Sequence, residues 1–310
     1  MICIPLRCQT AFMALIFFCL MQNAFSQQVN IIPYPQSVEK ASGEFTITNT
    51  TKIVYDEPDN KELTVALAPL LLKLQQAAGI NLKSVLHKPR KNFIEAELTG
   101  RIAQSEGYHL DIGPKSIKIE ASTPAGIFYA VQSLLQLLPV EIESPTIVKN
   151  IPLKIPAMAI DDAPAFGYRG LMLDVARHYM PYDFLEKMID LMAMQKMNTL
   201  HLHLTDSQGW RFESKKYPKL NTIAAYRKGS AINYTFDYAS MPNDTLYGGY
   251  YTQEQLKKLV DYAATRFITI IPEIEMPAHS RSALAAYPQF ACLDSAGKAF
   301  PYPAQIQDEY

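Results

Sequence analysis

The sequence predicts an α/β chain in two parts: a small α+β sheet domain, then the opening units of a parallel sheet covered by helices. Three observations predict it. Short alternating apolar runs and two amphipathic helices occupy residues 44–138. A proline-rich, irregular stretch follows, from Pro139 to Pro164. Beyond it the pattern becomes strand, helix, strand, helix, strand with short links. That order implies right-handed crossovers and parallel strands.

In the first part, Glu44-Phe45-Thr46-Ile47-Thr48 and Lys52-Ile53-Val54-Tyr55 alternate as strands do. Leu63, Leu67, Leu70, Leu71 and Leu74 form one face of a helix that Gly79 stops. Tyr108 to Ile112 and Ser116 to Glu120 are two further strands. Thr123 then caps a second helix with Pro124 at its first position. That helix buries Ile127, Phe128, Val131, Leu134, Leu135 and Leu138. The layout is a sheet with helices on one side. The prolines after it read as a linker, dividing an accessory domain, 27–156, from a second domain, 157–310.

In the second part, Tyr168 to Asp174 reads as a buried strand. Pro181 to Lys196 is a helix with Phe184, Leu185, Met188, Leu191 and Met192 on one face. Asn198 to Thr205 is the second strand. Thr252, with Gln255 three positions on, is a capping box opening the next helix, which buries Leu256, Leu259, Val260 and Ala263. Phe267 to Ile274 is the third strand. The long Asp206 to Tyr251 connection leaves the carboxyl end of strand two, where functional loops of such sheets belong.

Residues 1–26 read as a secretory signal: Arg7, the apolar run Ala11 to Met21, then Ala24-Phe25-Ser26 before the cut. The expectation is an exported protein, periplasmic or secreted. Three of the four cysteines, Cys3, Cys8 and Cys19, leave with that segment. Cys292 alone remains, so no internal disulfide is expected. No later apolar run is long enough to span a bilayer. Basic and acidic residues nearly balance, 29 against 30. Such a balance argues against nucleic acid or an anionic membrane as partner and suits a neutral substrate.

Polar residues gather at the strand ends. Strand one is followed by Asp174 and Arg177, strand two carries His201 and His203 and ends in Asp206, and strand three ends in Glu273, Glu275 and His279. In a parallel α/β barrel the active site sits on that rim. Arg177 offers a rigid fork of donors suited to sugar hydroxyls. An Asp–His pair can fix an imidazole tautomer and set the protonation of a nearby acid. Each residue has a plainer role open to it. Arg177 can pair with Asp174, Asp206 can cap its own loop, and His279 can cap a helix starting near Ser280. His201-x-His203 suits a metal by type and shared face, but Leu200, Leu202 and Leu204 fill the opposite face, which favours a hydrogen-bonded interior pair. Trp210 is either a sugar-stacking surface or packing beneath the long loop. Asp308-Glu309 lies on a proline- and glutamine-rich end without a strand before it, and is rejected as a catalytic pair.

At these residues the sequence resembles a known family. Arg169 to Pro181 (RGLMLDVARHYMP), Asn198 to Arg211 (NTLHLHLTDSQGWR) and Ile271 to Ser280 (IPEIEMPAHS) resemble three ordered barrel motifs of the β-N-acetylhexosaminidases, glycoside hydrolase family 20. Glu106-Gly107-Tyr108 and Ala125 to Tyr129 resemble the accessory domain preceding that barrel. The resemblance implies a TIM (β/α)8 barrel, no cofactor, and a glycan substrate ending in N-acetylhexosamine. It also implies a retaining, substrate-assisted reaction in which the substrate's own acetamido oxygen attacks the anomeric carbon; the family is an exception to the two-carboxylate scheme. By position, Arg177 resembles the arginine gripping the terminal sugar, and Asp206 and His279 the pair supporting the acidic Glu. Glu275 stands where many members have Asp, as a further substrate contact.

The sequence departs from the family at three places. Ser207 stands where many members have a second Asp, and Ala278 replaces the usual Gly. The family's Gly-Gly-Asp-Glu on the fourth strand does not occur; the only Gly-Gly, Gly248-Gly249, is followed by Tyr250-Tyr251. From Phe166 to Tyr310 there is room for roughly three of the eight strand–helix units. The expectation is therefore an incomplete barrel that lacks its catalytic Asp-Glu pair. Such a piece leaves a strand edge and apolar faces open, and is expected to be unstable or inactive alone. Two rivals stay open: a sugar-binding remnant without catalysis, and a metal-dependent hydrolase using His201 and His203.

Overall fold

The computed structural model describes residues 29–55, 60–228 and 246–298. The expected signal segment with its three cysteines, and Asp308-Glu309, lie outside the described residues.

The first domain is a seven-stranded mixed sheet. Its strands are β1 (Ser37–Thr46), β2 (Lys52–Tyr55), β3 (Lys83–Val85), β4 (Phe93–Leu98), β5 (Tyr108–Ile112), β6 (Ser116–Ala121) and β7 (Lys154–Asp162). Their spatial order is β1-β7-β5-β6-β4-β2-β3. Helices α1 (Lys61–Ala78) and α2 (Pro124–Gln136) pack against each other, and their apolar residues share one core with the sheet's. Local chemistry sets the helix ends. Asn60 Oδ1 accepts from the Glu62 and Leu63 amides, and Gly79 closes α1 in the left-handed region at φ 67°. Thr123 caps α2 through the Gly126 amide, with Pro124 beside it.

Three strands escape the sequence reading. In β3 two of three residues are exposed, and β4 is buried over four successive residues, so neither alternates cleanly. The third, β7, corrects the expected linker. Pro156 pairs only with β1, opposite Glu44, because the β5 ladder begins at Met158. A proline is tolerated where a strand has one neighbour. The sheet domain thus runs to Asp162, past the division expected at residue 156.

The second domain holds a three-stranded parallel sheet of β8 (Gly170–Asp174), β9 (Thr199–His203) and β14 (Thr269–Glu273), with β9 central. Helix α3 (Tyr182–Met194) links β8 to β9, and α4 (Gln253–Ala264), opened by the Thr252–Gln255 capping box, precedes β14. Between β9 and α4 lie two short pairs, β10 (Thr205–Asp206) with β11 (Gly209–Trp210) and β12 (Tyr226–Lys228) with β13 (Leu246–Gly248). Helix α5 (Arg281–Ala286) follows β14. Leu200, Leu202 and Leu204 are buried in the core shared with α3 and α4. On the other face Met172 and Ile271 stay open, at 53% and 43% exposure.

The domains meet at the amino ends of the parallel strands, away from the rim. Lys196 Nζ donates to Asp162 Oδ2 at 2.8 Å and to the Tyr108 hydroxyl at 2.9 Å. Tyr108 in turn donates to Asp162 Oδ2 and meets Ser133 Oγ. Arg169 binds Glu106 at 2.8 Å and lies over the Tyr129 ring. The Phe267 ring packs at a tilt against Phe128, with ring centroids 5.2 Å apart. Burial pulls the Lys196 ammonium below its usual value, and Asp162 opposes that pull.

Removing one partner of a buried pair strands the other charge. Lys196→Met is expected to lower unfolding free energy by about 3 kcal/mol in urea titration. Lys154→Met, which breaks the exposed contact with Glu44, is expected to cost under about 1 kcal/mol.

Candidate active site

The register of the parallel sheet lays Asp174, His203 and Glu273 abreast at the carboxyl ends of β8, β9 and β14. Successive strand side chains alternate faces, so Met172, His201 and Ile271 share their side one step deeper. The chain then reverses tightly: Asp206 pairs with Gly209, and Thr205 with Trp210. That reversal holds the Asp206 carboxylate inside the rim, at 1% exposure.

Asp206 is the shared partner of the site. Its Oδ2 accepts from Arg177 Nη2 at 2.7 Å and lies 3.1 Å from His203 Nε2. Its Oδ1 accepts from the Ser207 amide and lies 3.2 Å from His279 Nδ1. Ser282 Oγ donates to its carbonyl at 2.7 Å. Arg177 also reaches Asp174 Oδ2 through Nη1 at 2.8 Å. Asp174 Oδ1 accepts the Ala176 and Arg177 amides, which turns the loop so that the guanidinium faces back over the strand ends. The ion pair with Asp174 and the placement beside Asp206 therefore coexist.

His201 and His203 form the hydrogen-bonded interior pair. His201 Nε2 is 2.8 Å and His203 Nδ1 2.6 Å from Glu273 Oε2. Burial works against the His203 charge, yet its hydrogen bonds to Glu273 and Asp206 raise it above the ordinary histidine value. The hydrogen bond from His203 holds Glu273 below the usual carboxylate value. His203, Glu273 and Glu275 bring donor atoms within 4.8 Å of one another, a spacing a cation can bridge. Both ring nitrogens of His203 are already engaged by carboxylates, however.

The other expected residues fall as follows. His279 adopts φ 52°, a left-handed conformation unusual for a non-glycine, and its ring meets Asp206 while Ser280 takes the position before α5. Glu275 is anchored by its amide, which donates to Thr205 Oγ1 at 2.8 Å. Trp210 is buried against Leu220, Ala224 and Ala286, and its indole donates to the Phe212 carbonyl. In this position the indole packs beneath the long loop. Glu273, which ties both histidines, carries no assigned role in the sequence reading, because its pairing rests on the register between strands.

The profile described as "Glycosyl hydrolase family 20, domain 2" matches residues 28–163, and "Glycosyl hydrolase family 20, catalytic domain" matches residues 166–309. The chain belongs to glycosyl hydrolase family 20. The break between the two matches falls just beyond the end of β7. The beta-hexosaminidase of Porphyromonas gingivalis is 40% identical over 87% of this chain and 33% of its own length. That of Vibrio furnissii is 34% identical over 84% and 40%. The chain thus spans about a third to two fifths of the length of these relatives. The family 20 fold is shared with the Streptomyces plicatus N-acetyl-beta-hexosaminidase solved in complex with Thio-NAglucal, at TM-score 0.75 and 34% identity, over 91% of this chain and 52% of that one.

The shifts fix a pH window. The raised His203 stabilises the fold fully below the unfolded histidine value, roughly pH 6.5, and that contribution is lost as pH rises through the folded value. The lowered Glu273 contributes above the unfolded carboxylate value and fades as pH falls through its folded one. In an NMR titration His203 is expected to deprotonate above the free imidazole range. Glu273→Gln is expected to move that midpoint down, and an unmoved midpoint would contradict the pairing.

Proposed function

We propose that this chain supplies the sugar-gripping and acid-supporting side of an exo-acting β-N-acetylhexosaminidase site. The observation that carries the reading is the chain of contacts from Arg177 through Asp206 to His279, drawn from the ends of adjacent strands in a family 20 catalytic domain. Arg177 binds hydroxyls of a terminal N-acetylglucosamine or N-acetylgalactosamine. Asp206 and His279 form the relay that holds a neighbouring acid at the right protonation. The reaction is retaining and substrate-assisted: the acetamido oxygen attacks the anomeric carbon as the glycosidic oxygen leaves with the acid's proton. The Asp that orients the acetamido group and the Glu that protonates the leaving oxygen have no counterpart here, since Gly-Gly-Asp-Glu does not occur in the 310 residues. The protein is exported, consistent with the segment before Gln27 and with glycans as substrate. The metal-dependent reading is disfavoured because His203 has no ring nitrogen to spare.

The 310-residue chain is expected to bind an N-acetylglucosamine-derived oxazoline analogue and to give no turnover on a chromogenic N-acetylglucosaminide. Arg177→Ala is expected to weaken that binding at least about tenfold, or about 1.4 kcal/mol, by calorimetry. Turnover by the unaltered chain would contradict the missing pair, and loss of binding on chelation alone would favour the metal reading.

A further inference from the structure

The loop carrying Arg177 makes an unusual set of hydrogen bonds. Five of its six carbonyls from Val175 to Met180 are capped by side chains of the connection between β9 and α4. Arg211 Nε donates to Val175 O at 3.0 Å and Nη2 to Ala176 O at 2.8 Å. Arg227 Nη2 donates to Arg177 O at 2.8 Å. The hydroxyls of Tyr247 and Tyr251 donate to Tyr179 O at 2.7 Å and Met180 O at 2.6 Å. The His178 ring stacks on Tyr247, with centroids 4.9 Å apart.

Both arginines are buried, at 0% and 2% exposure. Arg211 also donates to Ala225 O and Gly249 O, so one guanidinium ties the Arg177 loop to both strands of the β12–β13 pair at one end. Burial, then the charge of Arg227, pulls Arg211 down to about 10. Close approach depends on glycine: at Gly248, φ 141°, a Cβ would come within 2.1 Å of Ala225 O. Guanidinium forks satisfy several carbonyls from one side chain, which a lysine cannot do in fixed geometry.

We propose that Arg211 and Arg227 are positioning residues for Arg177, acting through the main chain of its loop and setting the angle at which the guanidinium meets the sugar. The proposal rests on reading Arg177 as the sugar grip. The second strand's long loop is then the template for the first strand's loop.

Arg227 is the residue to test, because Arg211 bears on too many carbonyls to be removed cleanly. Arg227→Gln in the full chain is expected to weaken N-acetylglucosamine binding at least about tenfold. The loss is expected to shrink sharply in an Arg177→Lys background, since coupled residues are not additive. Amide exchange across residues 175–180 is expected to quicken. Arg227→Lys, with charge but no fork, is expected to give an intermediate loss, and serves where the glutamine variant fails to fold. Native affinity in the variants, or an equal loss in both Arg177 backgrounds, would overturn the proposal. If the unaltered chain does not bind N-acetylglucosamine, the sugar-grip reading fails. Exchange across 175–180 then decides separately whether the clamp orders the loop, and unchanged exchange overturns it.

Discussion

The second domain is organised around one buried anion. Asp206 is almost wholly removed from water, and an isolated carboxylate there would cost several kcal/mol. It is held because Arg177, His203, His279 and the Ser207 amide converge on its two oxygens. Those partners come from the ends of β8, β9 and β14. Satisfying one charge therefore fixes three loops relative to one another. Glu273 repeats the arrangement one strand over, drawing His201 and His203 together and leaving His203 between two carboxylates.

The scaffold makes this convergence possible by dividing the strands lengthwise. Their leucine-rich face packs against helices, their polar face opens toward the rim, and their amino ends sit on the sheet domain. Lys196 and Phe267, both at left-handed backbone positions before a strand, are the anchors at that far end. The side chains that dock the domains are thus separate from those that form the site, although the same strands carry both.

Much of this was legible in the sequence. The three strands, their helices and the residues at their carboxyl ends follow from periodicity, caps and strand-end chemistry. Alternation around His201-Leu202-His203 already assigned the histidines to the interior. What escaped was non-local. The strand β7 was hidden by Pro156, whose missing amide costs little where β7 has a single partner. The Glu273 pairing depends on register between strands 70 residues apart. Arg211 and Arg227 have no role in the sequence reading; they are buried because main-chain carbonyls, which carry no sequence signal, receive them.

The relay from Arg177 to His279 gives the proposed sugar grip its physical basis. That relay stands or falls on Asp206 being shared. Nitrogen-15 NMR of the imidazoles in Asp206→Asn, compared with the unaltered chain, tests it most directly. The account predicts that the ring-nitrogen resonances of His203 and His279 both move when the carboxylate they share becomes an amide. A change at one ring alone, or at neither, would contradict it.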